Sequence, residues 1–200
     1  MKLGRILVTA TLSLLAACSS DSPTEVPTGN ASGTVSFTYS GGGTGSYSAT
    51  GAISSSANTT TGRTTTWAAG YKVSSTNSTN VMANMARAGG ISDMVIIILN
   101  RQTTGTGTIN TTCQPTASAT CNVLAFVIGA SGSGSTEAFA FNCVLVSGTI
   151  TVASISSSNA AGSFSGSGMC VNGTTFASST FSVTNGSFNV PLLTNVPGIT

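Results

Sequence analysis

The carboxylates are the first place to look for chemistry in this chain, and there are only four: Asp21, Glu25, Asp93 and Glu137. Glycoside hydrolysis needs two carboxyl groups about 5–9.5 Å apart, and Asp93 and Glu137 are the pair that falls inside the patterned part of the sequence. Each stands in a turn-like context, Asp93 ahead of the apolar run Met94–Leu99 and Glu137 within a Gly/Ser loop. The expectation is therefore a gatekeeping charge and a solvated loop charge. Histidine is absent altogether. That removes the commonest general base, the usual partner of a nucleophilic serine, and the commonest metal ligand. Lys72 follows no S-x-x-K pattern that would activate a serine, and it reads as a solvated charge. The glycines of 41–45 belong to no phosphate-binding motif, and no closely spaced carboxylate run suits calcium. These residue types predict no enzyme, no metal and no cofactor.

Sulfur chemistry is the exception. Beyond Cys18 stand Cys113, Cys121, Cys143 and Cys170. An even number in an exported chain points to disulfides. Of the three pairings that four cysteines allow, Cys113–Cys121 would close the intervening QPTASAT loop and Cys143–Cys170 would staple two strand regions. Each bridge would contribute roughly 3 kcal/mol through loop closure. Zinc sites use close pairs such as C-x2-C, which these spacings lack. A catalytic thiol would lack a histidine to activate it.

The N-terminus explains why the chain would be exported. Lys2 and Arg5 precede an apolar run from Ile6 to Leu15, and Ala16-Ala17-Cys18 closes it. About a dozen apolar residues are too few to cross a hydrocarbon core of roughly 30 Å, so residues 1–17 read as a signal peptide. The ending resembles the lipobox of bacterial lipoproteins, which implies cleavage before Cys18 and a diacylated thiol carrying palmitate-type chains. A plain cleaved signal with a chance cysteine is the alternative. Residues 18–33, with two prolines and no periodicity, read as a flexible tether. Fifteen extended residues reach about 50 Å. Ser19 after the cysteine, where an aspartate would mark inner-membrane retention, implies by the same resemblance an outer-membrane anchor on the periplasmic or cell-surface side.

From position 34 the pattern changes to period two. Val35, Phe37 and Tyr39 alternate with Thr34, Ser36, Thr38 and Ser40, and after a glycine-rich turn Tyr47, Ala49 and Ile53 continue the pattern, predicting a hairpin. Trp67, Ala69, Tyr71 and Val73 share one face of a strand. Asn80–Arg87 has helix-like Val81/Met85 spacing, but its neighbours favour a strand. Met94–Leu99 and Val123–Ile128 are continuous apolar runs, suited to strands buried on both faces. Ser147-Gly148 predicts a tight hairpin between Phe139–Val146 and Thr149–Ile155. Asn185-Gly186 predicts another between Thr180–Thr184 and Ser187–Leu192. Pro191 implies an edge or a strand end there. Nine or ten strands with no convincing helix make an all-β, antiparallel sandwich or small barrel, as a single domain over residues 34–195 with a short tail over 196–200.

Only 5% of the residues are charged, and the part after the signal balances Arg63, Lys72, Arg87 and Arg101 against the four acids. Without a basic stripe there is no electrostatic footprint for nucleic acid. A mean hydropathy of +0.34 together with regularly spaced apolar residues predicts a folded domain with Ser/Thr faces rather than a disordered chain.

The segments Ser147–Val152, Ala161–Ser165 and Val183–Pro191, in that order, resemble a group of small bacterial lipoproteins whose domain closes on a "G-x-F-S … TNG-x-F-x-V-P" module. The resemblance implies a lipid-anchored β domain and brings no activity or catalytic residue with it. The reading is thus a lipid-anchored envelope protein that binds or supports without catalysis, its protein or glycan partner unidentified. The alternative is a lipocalin-like carrier, with Trp67 and Tyr71 facing a small apolar ligand.

Overall fold

The structure, a computed structural model, describes residues 31–41, 44–53, 65–110, 122–131 and 138–193. Alternating small polar and apolar residues produce ten strands: β1 (Gly33–Ser40), β2 (Thr44–Gly51), β3 (Trp67–Val73), β4 (Ser78–Ala86), β5 (Ser92–Leu99), β6 (Gly105–Ile109), β7 (Val123–Ala130), β8 (Phe141–Ile155), β9 (Asn159–Asn172) and β10 (Ser178–Leu193). All pairs are antiparallel except a short parallel contact of Leu192 and Leu193 with Gly70 and Tyr71. That contact lets β10, β3, β4, β5, β7, β8 and β9 close into a ring, with β1 and β2 continuing from β10 and β6 from β8. The result is the all-β fold the periodicity predicts. Among the described residues no helix is long and apolar enough to span a membrane.

Two layers follow from the pairing. A six-stranded layer runs β2-β1-β10-β9-β8-β6, and a second runs β3-β4-β5-β7. Between them lie the inward residues of every strand, among them Val35, Val81, Ile97, Leu124, Ile150 and Val183, each at most 1% exposed. An aromatic cluster joins the layers. The Phe126 ring of β7 meets Phe37 edge-on at 4.9 Å, Tyr47 at 5.3 Å and Tyr39 at 5.5 Å. Such pairs add about 0.5–1.5 kcal/mol each beyond the area they bury.

Both tight hairpins expected in the C-terminal half are absent. Ser147-Gly148 and Asn185-Gly186 lie within single long strands, β8 and β10. At each place the ladder takes a β-bulge: β8 shifts register between Leu145 and Ser147, and β10 between Val183 and Gly186. A bulge and a tight turn ask for the same backbone, because both need residues that tolerate positive φ. Asn185 has φ 53° and Gly148 φ 148°. What decides between them is the neighbouring strand. β9 pairs with both halves of β8 and both halves of β10, so neither strand folds back on itself. Pro191 likewise sits inside the sheet and not at an edge. It lies where β10 leaves its register with β1, last paired at Asn189, and begins the one with β3 at Leu192, a step that needs no N–H from residue 191.

Asn80–Ala86 resolves as strand, within β4, and Arg87 follows its end. β6 escaped the sequence pattern, since GTGTI carries a single apolar residue, Ile109. The bridge between Cys143 and Cys170 forms as expected, between residues directly opposite each other on β8 and β9. Cys113 and Cys121 lie outside the described residues.

Gly148 tests the bulge. A Cβ there would overlap the Ser165 carbonyl oxygen, and its φ is one that side-chain-bearing residues avoid. Gly148→Ala should lower stability by about 1–3 kcal/mol or more, read as a lower urea midpoint with an unchanged slope.

Candidate functional site

The residues expected to carry chemistry are not brought together. Glu137 lies outside the described residues, as does Cys18. Asp93 is described, and it corrects the sequence reading. It is not a solvated gatekeeper; it lies within β5 on the inward face, 0% exposed. Its carboxylate is compensated on both oxygens. Oδ2 pairs with the Arg87 guanidinium, which reaches in from the β4–β5 turn, and Oδ1 accepts the Gly129 N–H at 2.9 Å. A buried charge survives when it is paired and hydrogen-bonded. Both oxygens are occupied by the fold, which suits a structural role. Among the described residues, no three His, Cys, Asp or Glu side chains come together as a metal site would require.

Trp67 and Tyr71 share a face, as the period predicts. That face is turned away from the interior: Ala68 belongs to the core, and a Cβ on Gly70 would meet Val190 and Leu192. Trp67 is nonetheless 9% exposed, and the Tyr71 hydroxyl accepts a hydrogen bond from Asn80 Nδ2 at 2.8 Å. Neither ring points into the space between the layers, which the Phe126 cluster fills. The other face of β5 is only partly covered: Met94 and Ile96 are half-buried and Ile98 is buried, while Val95, Ile97 and Leu99 on the inward side are at most 1% exposed, so the apolar run is not buried on both faces throughout. Lys72 is half-buried on β3.

The Tyr47 hydroxyl is buried with no hydrogen-bond partner. Burial, reinforced by the Asp93 carboxylate, pushes its pKa far above the usual tyrosine value.

The most regular polar feature is the outer face of the six-stranded layer. Because side chains alternate across a strand, each apolar inward residue is flanked by an outward Ser or Thr. The pairing sets these hydroxyls in rows. Ser48, Ser36, Ser187, Ser163, Thr151 and Thr106 lie opposite one another, one from each of β2, β1, β10, β9, β8 and β6. A flanking row places Thr44, Ser40, Ser182, Ser167 and Ser147 in the same way. Between these two rows, Ser46, Thr38 and Thr184 align, and across the β10 bulge Ser165, Thr149 and Thr108 continue the row.

Neighbouring hydroxyls bond to each other: Ser40 to Ser182 at 2.7 Å, Thr38 to Thr184 at 2.8 Å, Ser36 to Ser187 at 3.0 Å, Thr106 to Thr151 at 3.0 Å and Ser147 to Ser167 at 3.1 Å. No charged or aromatic side chain interrupts these rows. Arg101 borders them, donating to the Thr106 carbonyl at the β6 edge. The sequence shows the alternation along each strand; the alignment across six strands is visible only once the pairing is known.

Comparison with known proteins finds no matching family, no similar curated protein and no similar solved structure. The reading of the site therefore rests on its geometry.

Two measurements test the interior. Arg87→Ala leaves the buried Asp93 carboxylate with only the Gly129 N–H as partner, and should cost about 3–5 kcal/mol, the usual penalty for breaking a pair whose remaining charge is buried. An unfolded tyrosine loses its proton near pH 10, whereas folded Tyr47 keeps its own. Above that pH the unfolded chain binds fewer protons than the native one, so stability should fall as pH rises past about 10. Tyr47→Phe should flatten that fall in urea titrations between pH 8 and 11. At pH 7 it should change stability by less than about 1 kcal/mol, since the hydroxyl it removes has no partner.

Proposed function

We propose that the chain is a lipid-anchored envelope protein that binds without catalysis, held to the outer membrane through Cys18 and meeting its partner through the hydroxyl face of the six-stranded layer. The observation that carries this reading is the contrast between that face and the interior. The interior is filled by aromatic and aliphatic side chains, and its one described carboxylate is committed to Arg87 and Gly129. The outer face offers rows of hydroxyls aligned across the strands and stepped at the β8 and β10 bulges. A surface with almost no charge is weakly protected from association in solution, and tethering keeps such a surface dilute.

The filled interior weighs against the lipocalin-like alternative, which needs a cavity between the sheets. Asp93 and Glu137 as a hydrolytic pair is likewise disfavoured, since the Asp93 oxygens are both engaged.

An anchor of this kind needs more than one acyl chain, each buried methylene contributing about 0.8 kcal/mol. Metabolic labelling with palmitate should mark the wild-type protein and leave Cys18→Ala unlabelled, with the variant moving from the membrane to the soluble fraction. Labelling that persists in the variant would refute the anchor.

A further inference from the structure

We propose that residues 194–200, which continue from β10, cross β3 and lie over the outward face of β4 and β5. Their backbone N–H and C=O groups pair there with the side-chain amides of Asn80 and Asn100.

The face itself states what its occupant must be. On the outward side of the β3-β4-β5-β7 layer stand Ala69, Met82, Ile96, Ile98 and Val127, and no described strand lies over them. Ala69, Ile98 and Val127 are nonetheless buried. Asn80 shares this face, and Asn100, just past the end of β5, has the parity of Ile98. The Asn80 Oδ1 atom and both amide atoms of Asn100 are buried with no hydrogen-bond partner among the described residues. A primary amide carries two donors and an acceptor oxygen, and leaving such groups unpaired away from water is costly. The occupant must therefore be partly apolar, uncharged, and able to donate and accept at once. An extended backbone does both.

Register shows which segment arrives there. Leu193, Tyr71, Asn80 and Ile98 lie opposite one another in a single row across β10, β3, β4 and β5. The Tyr71 hydroxyl already accepts from Asn80 Nδ2. The end of β10 thus stands at the head of the row that leads to the unpaired amides. Three strand separations put Ile98 about 14 Å from Leu193, and residues 194–200, fully extended, reach about 23 Å. This segment, TNVPGIT, carries no charge. Its Val196 and Ile199 flank Pro197-Gly198, a pair suited to the centre of a tight turn, which brings the two apolar side chains to one place. The residues ahead of Gly33 fit less well. They carry Asp21 and Glu25, lead into a strand that starts beside the Ala68 carbonyl, and serve as the tether in the reading above.

The consequence is mechanical. β10 joins β3 through two residue pairs, Leu192–Gly70 and Leu193–Tyr71, the shortest ladder of the ring. A segment running from β10 over β3 to β5 braces this seam. It also keeps an apolar face from water in a protein whose few charges protect it weakly from association.

The experiment places a photoreactive residue, Ile199→p-benzoylphenylalanine, in the full chain in isolated membranes. Irradiation should give an intramolecular adduct on β4 or β5, with Met82, Met94 and Ile98 as the expected partners in peptide mapping. Adducts only on other elements, on another molecule or on lipid, or no adduct at all, overturn the proposal. Stability in mild detergent supplies an independent test. Removal of residues 194–200 should lower the urea midpoint, and an unchanged midpoint counts against the brace. Asn100→Ala should lower the midpoint of the full chain, where it removes paired groups, by more than that of the shortened chain, where the amide has already lost its partner. An equal shift, the result if bound water serves the amides, or a larger shift in the shortened chain overturns the pairing. Should the shortened chain fail to fold, the cross-link decides alone.

Discussion

The structure depends on the contact between Phe126 and the rings that reach it from the opposite layer. Phe37, Tyr39 and Tyr47 come from β1 and β2, and Phe181 from β10. Here the two layers share one dry interior, and the alternation of every strand is referred to it. A strand slipped by one residue would turn its hydroxyls into that interior and its apolar side chains into water. The rows of Ser and Thr on the outside are the other half of the same constraint. Their regularity follows from the regularity of what faces the core.

The bulges keep this alternation consistent along the three longest strands. β8, β9 and β10 run 15, 14 and 16 residues, long enough for twist to carry them out of one layer's plane. The extra residue at Val146 and the pair Thr184-Asn185 absorb the mismatch. They let β8 pair with β7 at one end and β6 at the other, and keep β10 paired with β1 and β9 on both sides of its bulge. The bridge between Cys143 and Cys170 ties β8 to β9 within their shared ladder, inside the stretch of β8 that also pairs with β7, where Cys143 lies opposite Phe126.

Charge is used sparingly and with a clear division. Asp93 is buried and matched by Arg87 and the Gly129 N–H; a carboxylate in that position fixes the β4–β5 turn to the end of β7. Among the described residues, the outer face of the larger layer carries none. That separation leaves an outer surface whose rows of hydrogen-bonding groups, among the described residues, are neutral hydroxyls.

The sequence by itself determined the all-β class, the Ser/Thr-out and apolar-in periodicity and most strand positions, because period two and turn chemistry are local properties; which of the three pairings includes Cys143 was settled by the β8–β9 register that sets it opposite Cys170. It also carried the basic head, apolar run and Cys18 that suggest a lipid anchor. Only the tertiary structure decided that Asn185-Gly186 and Ser147-Gly148 are bulges, since a residue pair tolerant of positive φ serves a turn or a bulge according to which strand lies beside it. It alone placed Asp93 inside, because the compensating groups come from Arg87 and Gly129, which its own neighbours do not reveal. And it alone aligned hydroxyls from six strands into rows: register between strands far apart in sequence is set by how the core packs, and no single strand encodes it.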